Sequence, residues 1–313
     1  MHIQIWSFPV NTGGPWALAQ LGSLMRDAGH KVTVTLPGKS VSGGVDVVIA
    51  PEVAVQDLCD LRGPVRVLWW LSVDNAYWRP RRDQLYDQFG PRLLDLVDAV
   101  ARRRLHALLR DPGQRDILHA AQSEYARSHI RRVLDREPLM LTDFLTDLTM
   151  SAAPTGVERR ARYVAYNPAK GLPATERVIR ALDGVATFQP IKGLTHAETV
   201  ELLKGSLIYL DLGSHPGRDR LPREAAVAGC VVLVGKRGAA ANGIDIPVPD
   251  EYKLPVPWRL EKADAVMRRI CDVIADPVAH QASMKHIVQT VLKQESVFRQ
   301  EVEGLLAELQ RRL

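Results

Sequence analysis

Residues 207–238 read LIYLDLGSHPGRDRLPREAAVAGCVVLVGKRG, and the order of elements inside this stretch sets the architecture of the whole chain. The apolar run 207–212 is a buried strand, and a loop with Gly213 and Gly217 follows it. A helix is predicted from about 222 to 228, and a second strand over 231–234. Pro222 suits the first turn of that helix and Gly229 its end. A short helix bounded in this way turns its unpaired backbone N–H groups toward the loop, where Arg218, Arg220 and Arg223 stand close in sequence. That combination is an anion site.

Strand, loop, helix and strand recur on both sides. At the N-terminus, 2–7 is a strand, Asn11-Thr12-Gly13-Gly14-Pro15 a tight loop, and 16–28 a helix with Leu18, Leu21, Leu24 and Met25 at helical spacing. Strands follow at 31–36, 46–50 and 65–71, and at 118–122, where Ser123 caps the next helix. Residues 151–160, with Ala-Ala-Pro-Thr-Gly, read as a linker, after which the rhythm restarts: strand 162–166, turn Asn167 to Gly171, helix 174–182, strand 185–190. Thr195 and Glu198 form a capping box ahead of the helix that leads into the central stretch.

The fold class is therefore α/β, with two Rossmann-like, doubly wound domains facing each other across a cleft. The first spans 1–150 and the second 151–290, with a C-terminal helix over 291–313 that crosses back toward the first. Ligands of such sheets bind at the carboxyl ends of the strands. Two glycines, Gly13 and Gly14, follow the first strand and serve either as a simple turn or as a place where backbone approaches a ligand. Asp74, after the strand ending in Trp69-Trp70-Leu71, is either a capping residue or a ligand and base.

Composition bounds the function. Hydrophobic residues make up 46% of the 313 and are spread along the chain, which supports a sizeable core and argues against disorder. The net charge of +5 favours anionic partners. Cys59, Cys230 and Cys271 are odd in number and set among apolar residues, as in reduced core cysteines, and cytoplasmic localisation is expected. No basic-then-apolar leader and no long apolar run is seen, so export and a transmembrane segment are disfavoured. No Cys/His spacing for zinc, no Walker glycine loop and no G-x-G-x-x-G is present, so no cofactor is expected and no metal is required.

The Gly13-Gly14 loop, the Lys170-Gly171 turn and the segment Gly217 to Gly229 with Glu224 at its heart give the chain a resemblance to glycosyltransferases of the two-Rossmann-domain GT-B architecture, most of all the retaining family-four branch. The resemblance covers nearly the whole chain. It implies a sugar moved from a nucleotide-sugar donor to a hydroxyl acceptor with retention, Lys170 on the diphosphate, Glu224 on the ribose hydroxyls, and the 217–222 backbone around the phosphates or sugar. The sequence departs from that pattern at Pro216, where the first Glu of the Glu-x7-Glu motif would stand, and at the Arg that would precede the Lys-Gly turn. His215 or Asp219 stands in for the first, and Arg218, Arg220 or Arg223 for the second. Asp74 is the candidate base for an inverting outcome, and His215 stands where a sugar would lie.

Taken singly these residues have plainer roles: Glu224 as a surface partner of Arg220 or Arg223, His215 as a turn residue, Lys170 as a solvated lysine. Pro216 also keeps open a protein that binds a nucleotide or partner and transfers nothing. Arginines cluster at 79–82, 102–104, 127–132 and 159–162. They are a solvated face, or they suit a polyanionic or membrane-borne acceptor: a saccharide or glycoconjugate first, at an anionic leaflet in the lipid-linked case, with modified bases in DNA as the alternative. Trp69, Trp70, Tyr77 and Trp78 either stack on a sugar or base or pack in the core.

Overall fold

The structure, a computed structural model, describes residues 1–10, 13–38, 41, 43–77, 91–146, 162–255 and 263–313. The boundary at 150/151, the linker 151–160, Asn11, Thr12, Trp78, Arg79, Arg81, Arg82, Arg159 and Arg160 lie outside the described residues.

The first half runs β1 (His2–Trp6), α1 (Gly13–Asp27), β2 (Lys31–Thr35), β3 (Val47–Pro51), α2 (Val55–Asp60), β4 (Val65–Trp70), α3 (Pro91–Arg110), β5 (Leu118–Ala121), α4 (Glu124–Leu134) and β6 (Leu139–Met140). The second runs β7 (Tyr163–Tyr166), α5 (Leu172–Ala181), β8 (Thr187–Pro190), α6 (His196–Lys204), β9 (Ile208–Asp211), α7 (Arg220–Val227), β10 (Val231–Gly235) and β11 (Lys253–Leu254). Four helices close the chain: α8 (Ala263–Ala275), α9 (Pro277–Ala282), α10 (Lys285–Leu292) and α11 (Gln294–Arg312). Asp276 caps α9, its carboxylate accepting from Ala279 N at 3.2 Å.

Two parallel sheets result, with strand orders β2-β1-β3-β4-β5-β6 and β11-β10-β9-β7-β8. Each is a Rossmann-like, doubly wound arrangement, because the order reverses beside the first strand of each half. In the first sheet β1 lies between β2 and β3, and in the second β7 lies between β8 and β9. Strands in the middle of such sheets are covered on both faces, which is why β3 (VVIAP) and β10 (VVLVG) are apolar without alternation and buried at every residue. The caps read from sequence are in place: Ser123 Oγ accepts from Ala126 N at 3.0 Å, and Thr195 and Glu198 complete a capping box. Cys59 and Cys230 are buried, but Cys271 is exposed, because it falls on the outer face of amphipathic α8.

The final helix belongs to both halves. Gln294 at its start touches the second domain, while Phe298, Val302, Leu305 and Leu309, three to four residues apart on one helix face, join the core of the first sheet. Phe298 stacks on Trp69 with ring centroids 6.4 Å apart and planes 14° apart, and Glu301 accepts from Thr142 N and Oγ1, both at 2.7 Å. Trp69 and Trp70 are core residues, with indole N–H groups donating to Leu141 O at 2.8 Å and His119 Nδ1 at 3.1 Å. Neither is placed to stack on a ligand.

Phe298 is fully buried. Phe298→Ala is expected to cost roughly 3–5 kcal/mol by opening a cavity against Trp69, read as a lower urea midpoint with an unchanged slope.

Candidate functional site

The carboxyl ends of the two sheets meet along one seam, and the loop after β9 makes the meeting. Val73 N, just past β4, donates to Pro216 O at 2.8 Å. At Gly217 a Cβ would stand 2.0 Å from Leu71 O, so only glycine permits this approach. Asp245 of the second domain accepts from Glu124 N at 2.7 Å and Tyr125 N at 2.9 Å, which places a carboxylate on the N-terminus of α4. Arg223 locks the same seam from behind: its guanidinium donates to Asp143 Oδ2 at 2.7 Å and Gln294 Oε1 at 2.9 Å, with both ion-pair side chains buried.

Arg223 is therefore a bridge between the halves, a correction to its expected role as an anion contact. Charge and burial explain it. At 1% exposure the guanidinium needs fixed acceptors, and Asp143, Gln294 and the carbonyls of Arg218 and Asp219 supply them. Helix α7 opens at Arg220, two residues before the expected start, so Pro222 sits inside its first turn.

Lys170 and Glu224 come to the same side of the second sheet. Gly171 has φ +60°, and an added Cβ would lie 2.7 Å from Gly213 N, so the turn after β7 and the loop after β9 interlock. The Lys170 ammonium donates to Asp219 Oδ2 at 2.7 Å, and His215 Nδ1 lies 2.8 Å from the same oxygen. Burial alone would raise the Asp219 carboxyl, but Lys170 and His215 outweigh it and hold the group well below the usual carboxylate range. Glu224, 5% exposed at its side chain, pairs with Arg220 at 3.2 Å. The Arg220 guanidinium in turn lies 4.9 Å from the centroid of the Trp16 ring on α1. Gly13 is on the same helix, 3.9 Å from the Arg220 side chain by its would-be Cβ, and Gly14 faces Leu71. The glycine pair opens α1; it does not form a separate loop.

His215 is fully buried and its carbonyl accepts from Ala239 N at 2.7 Å, so direct contact with a sugar is replaced by orientation of Asp219. Its Nε2 has no hydrogen-bond partner among the described residues. Arg218 is likewise without a partner at Nε, and burial followed by repulsion from Arg223 lowers its pKa. Asp74 lies beside Val73 at the seam and accepts from Tyr125 Oη at 3.1 Å. Of the arginine clusters, Arg127 and Arg131 both engage Glu137, Arg102 lies over the Tyr77 ring at 5.8 Å, and Arg103, Arg104 and Arg132 are exposed.

Among the described residues, Asp211, His215 and Asp219 hold metal-ligand atoms within 4.8 Å of one another. The donor set does not fit a cation. Asp211 already accepts from Gly213 N, Asn167 Nδ2 and Tyr209 Oη, and the Lys170 ammonium occupies Asp219.

Solved structures share the fold over most or all of the chain. Sucrose-phosphate synthase from Thermosynechococcus elongatus superposes with a TM-score of 0.70 at 12% identity, covering 100% of both chains. The fold is GT-B. WaaG, a glycosyltransferase involved in lipopolysaccharide biosynthesis, gives 0.60 at 13% identity over 97% of this chain and 100% of its own. An alpha-glucosyltransferase in complex with UDP-glucose and DNA containing an abasic site gives 0.53 at 9% identity over 94% of both. No family model and no curated protein matches the chain. Among the described residues no helix is long and apolar enough to cross a membrane.

Two residues of the seam had no functional reading in the sequence. Trp16 follows Pro15 at the start of α1, and its only signal was an aromatic beside a glycine pair. Glu52, a lone acid at the end of an apolar strand, is 3% exposed and accepts from Leu71 N at 2.9 Å, so it holds the residue against which Gly217 packs. Burial pushes its carboxyl up to about 7, against the lowering effect of backbone N–H groups. The folded state then keeps a proton that the unfolded state releases near its ordinary value of about 4.3, so stability declines as pH rises through that interval and remains lower above it. Glu52→Gln, which retains an acceptor for Leu71 N–H, is expected to be more stable than the parent by roughly 1–3 kcal/mol at pH 8 and equal to it at pH 4, measured by urea unfolding at both pH values.

Proposed function

We propose that the chain is a nucleotide-sugar-dependent glycosyltransferase that moves a sugar to a hydroxyl acceptor with retention of configuration. The observation that carries this reading is the juxtaposition of the two points where strand order reverses. Lys170 and Glu224 stand at that point of the second sheet, and α1 with Gly13 and Gly14 stands at that point of the first, in contact through Arg220. Ligands of doubly wound sheets occupy such crevices.

In this reading Lys170 and the N-terminus of α7 meet the diphosphate, and the Glu224 carboxylate accepts from the ribose hydroxyls. The bond from the anomeric carbon to the diphosphate oxygen breaks as the bond to the acceptor oxygen forms, and the departing phosphate takes the acceptor's proton. No protein base is then needed, and no metal: the cationic groups stabilise the leaving diphosphate. Asp74 at the seam is the base should transfer invert. Positioning by the first domain supplies the rest of the rate. Donor identity is not fixed by these residues, since Pro216 offers the sugar no carboxylate and its carbonyl is engaged by Val73.

Calorimetry with UDP, GDP, ADP and TDP is expected to find one nucleotide bound by the parent and bound at least about tenfold more weakly by Glu224→Ala, the loss of a charge-assisted hydrogen bond. Unchanged affinity removes the role given to Glu224. Pro216 favours a second reading, a GT-B protein that binds without transferring. A panel of nucleotide sugars scored for slow hydrolysis and for transfer separates the two, since binding with no turnover of any donor selects the second.

For the acceptor we propose a saccharide or glycoconjugate, with a modified base in DNA as the alternative. Exposed Arg103, Arg104 and Arg132 on α3 and α4 support an anionic partner in either case. Binding to anionic liposomes and to duplex DNA across a salt series is expected to show salt-sensitive liposome association and weaker DNA binding. Strong, salt-sensitive DNA binding without liposome binding reverses the ranking, and indifference to both makes the arginines a solvated face.

A further inference from the structure

We propose that Asp219 and Arg220 act as an internal stand-in for the donor, so that binding is an exchange of ion pairs and selects a nucleoside diphosphate over either of its halves. The inference rests on the assignment of Lys170 and Glu224 to the donor.

The two residues are adjacent in sequence and opposite in charge, and each occupies one of the two groups assigned to the donor. Asp219 places a carboxylate oxygen 2.7 Å from the Lys170 ammonium, where a phosphate oxygen would lie. Arg220 places its guanidinium 3.2 Å from the Glu224 carboxylate, where ribose hydroxyls would donate. Exposure of these side chains is 26% and 21% in the first pair, 15% and 5% in the second, so solvent screens both only partly. Breaking one partner out of such a pair without replacing it leaves a poorly solvated charge, the costly case for ions away from water.

The ledger of charges differs for each ligand. Pyrophosphate can replace Asp219 on Lys170, but it offers nothing to Glu224, so Arg220 stays where it is. A nucleoside brings hydroxyls to Glu224 and no anion to receive the displaced Arg220. A nucleoside diphosphate supplies both at once: hydroxyls for Glu224, and phosphate oxygens for Lys170 and for Arg220. The displaced Asp219 is not stranded, because His215 Nδ1 still holds the same oxygen at 2.8 Å. Departure of Arg220 takes a cation away from the Trp16 ring, so the exchange carries an optical signal.

The probes are inorganic pyrophosphate, the nucleoside, and the nucleoside diphosphate that the parent binds best among UDP, GDP, ADP and TDP. In the parent, the nucleoside and pyrophosphate are each expected to bind at least about a hundredfold more weakly than the diphosphate. Asp219→Asn is expected to bind pyrophosphate at least about tenfold more tightly than the parent, and Arg220→Gln the nucleoside by a similar factor. Diphosphate binding changes the tryptophan fluorescence of the parent, and the change is lost in Trp16→Phe and in Arg220→Gln. Asp250→Asn, which breaks the Lys236–Asp250 pair elsewhere in the second domain, leaves every affinity unchanged. Asp219→Ser replaces Asp219→Asn if circular dichroism shows the latter unfolded. A parent that binds the diphosphate while the Asp219 variants hold pyrophosphate no more tightly overturns the inference alone. If no nucleotide binds the parent or any variant, the assignment of Lys170 and Glu224 falls, and the stand-in falls with it.

Discussion

At Gly217 the backbone of one domain lies against the Leu71 carbonyl of the other with no room for a side chain, and the rest of the molecule is arranged around that contact. It sets how far the loop after β9 enters the seam, and so where Asp219 and Arg220 stand. Supports act on each side of it. Glu52 holds Leu71 from just past β3, and Arg223 ties the start of α7 to Asp143 and Gln294. A buried ion pair such as Arg223–Asp143 adds little net stability, but it is severe on any arrangement that leaves either charge unpaired, as the Glu52 carboxyl is on one that strands its acceptor. Their effect is to specify one docking of the halves.

The last helix serves the same end by different means. Its apolar face completes the first core, through Phe298 on Trp69, while Gln294 at its other end binds Arg223. Displacing the two halves would therefore expose apolar surface as well as break the seam. The candidate site lies where these constraints converge, and its cationic and anionic groups are held in pairs: Lys170 with Asp219, Arg220 with Glu224. Charges that satisfy one another in this way keep their geometry without a ligand.

Much of the fold was legible in the sequence because it rests on local signals. Apolar runs such as 231–234, the Ser123 and Thr195 caps, and the glycines that end helices mark the elements, and the alternation of strands with helices implies parallel sheets. The Lys170-Gly171 turn and the Gly217 to Gly229 segment pointed to one end of one sheet for the same reason: residues at the carboxyl end of a strand share an edge whatever surrounds them. Arg223 and Trp16 were not legible in this way. Nothing within a few residues of Arg223 tells that Asp143, eighty positions earlier, will neutralise it, and Trp16 acquires meaning only from Arg220 above its ring.

The sequence by itself determined the class of fold, the alternation of strands and helices along the chain and which loops carry charge, because periodicity, caps and turn residues act over a few positions along the chain. The tertiary structure alone decided how each of those charges is buried and paired. Arg218, Arg220 and Arg223 are alike in composition and spacing. Yet one is partly buried with an unpartnered Nε, one stacks across the seam, and one is consumed in a buried bridge. The same holds for His215, in sequence a turn residue or one standing where a sugar would lie, and in the fold fully enclosed once the 238–240 segment packs over it. Burial and counter-ions belong to distant parts of the chain brought together, and the energy of a charge depends on them more than on its neighbours in sequence.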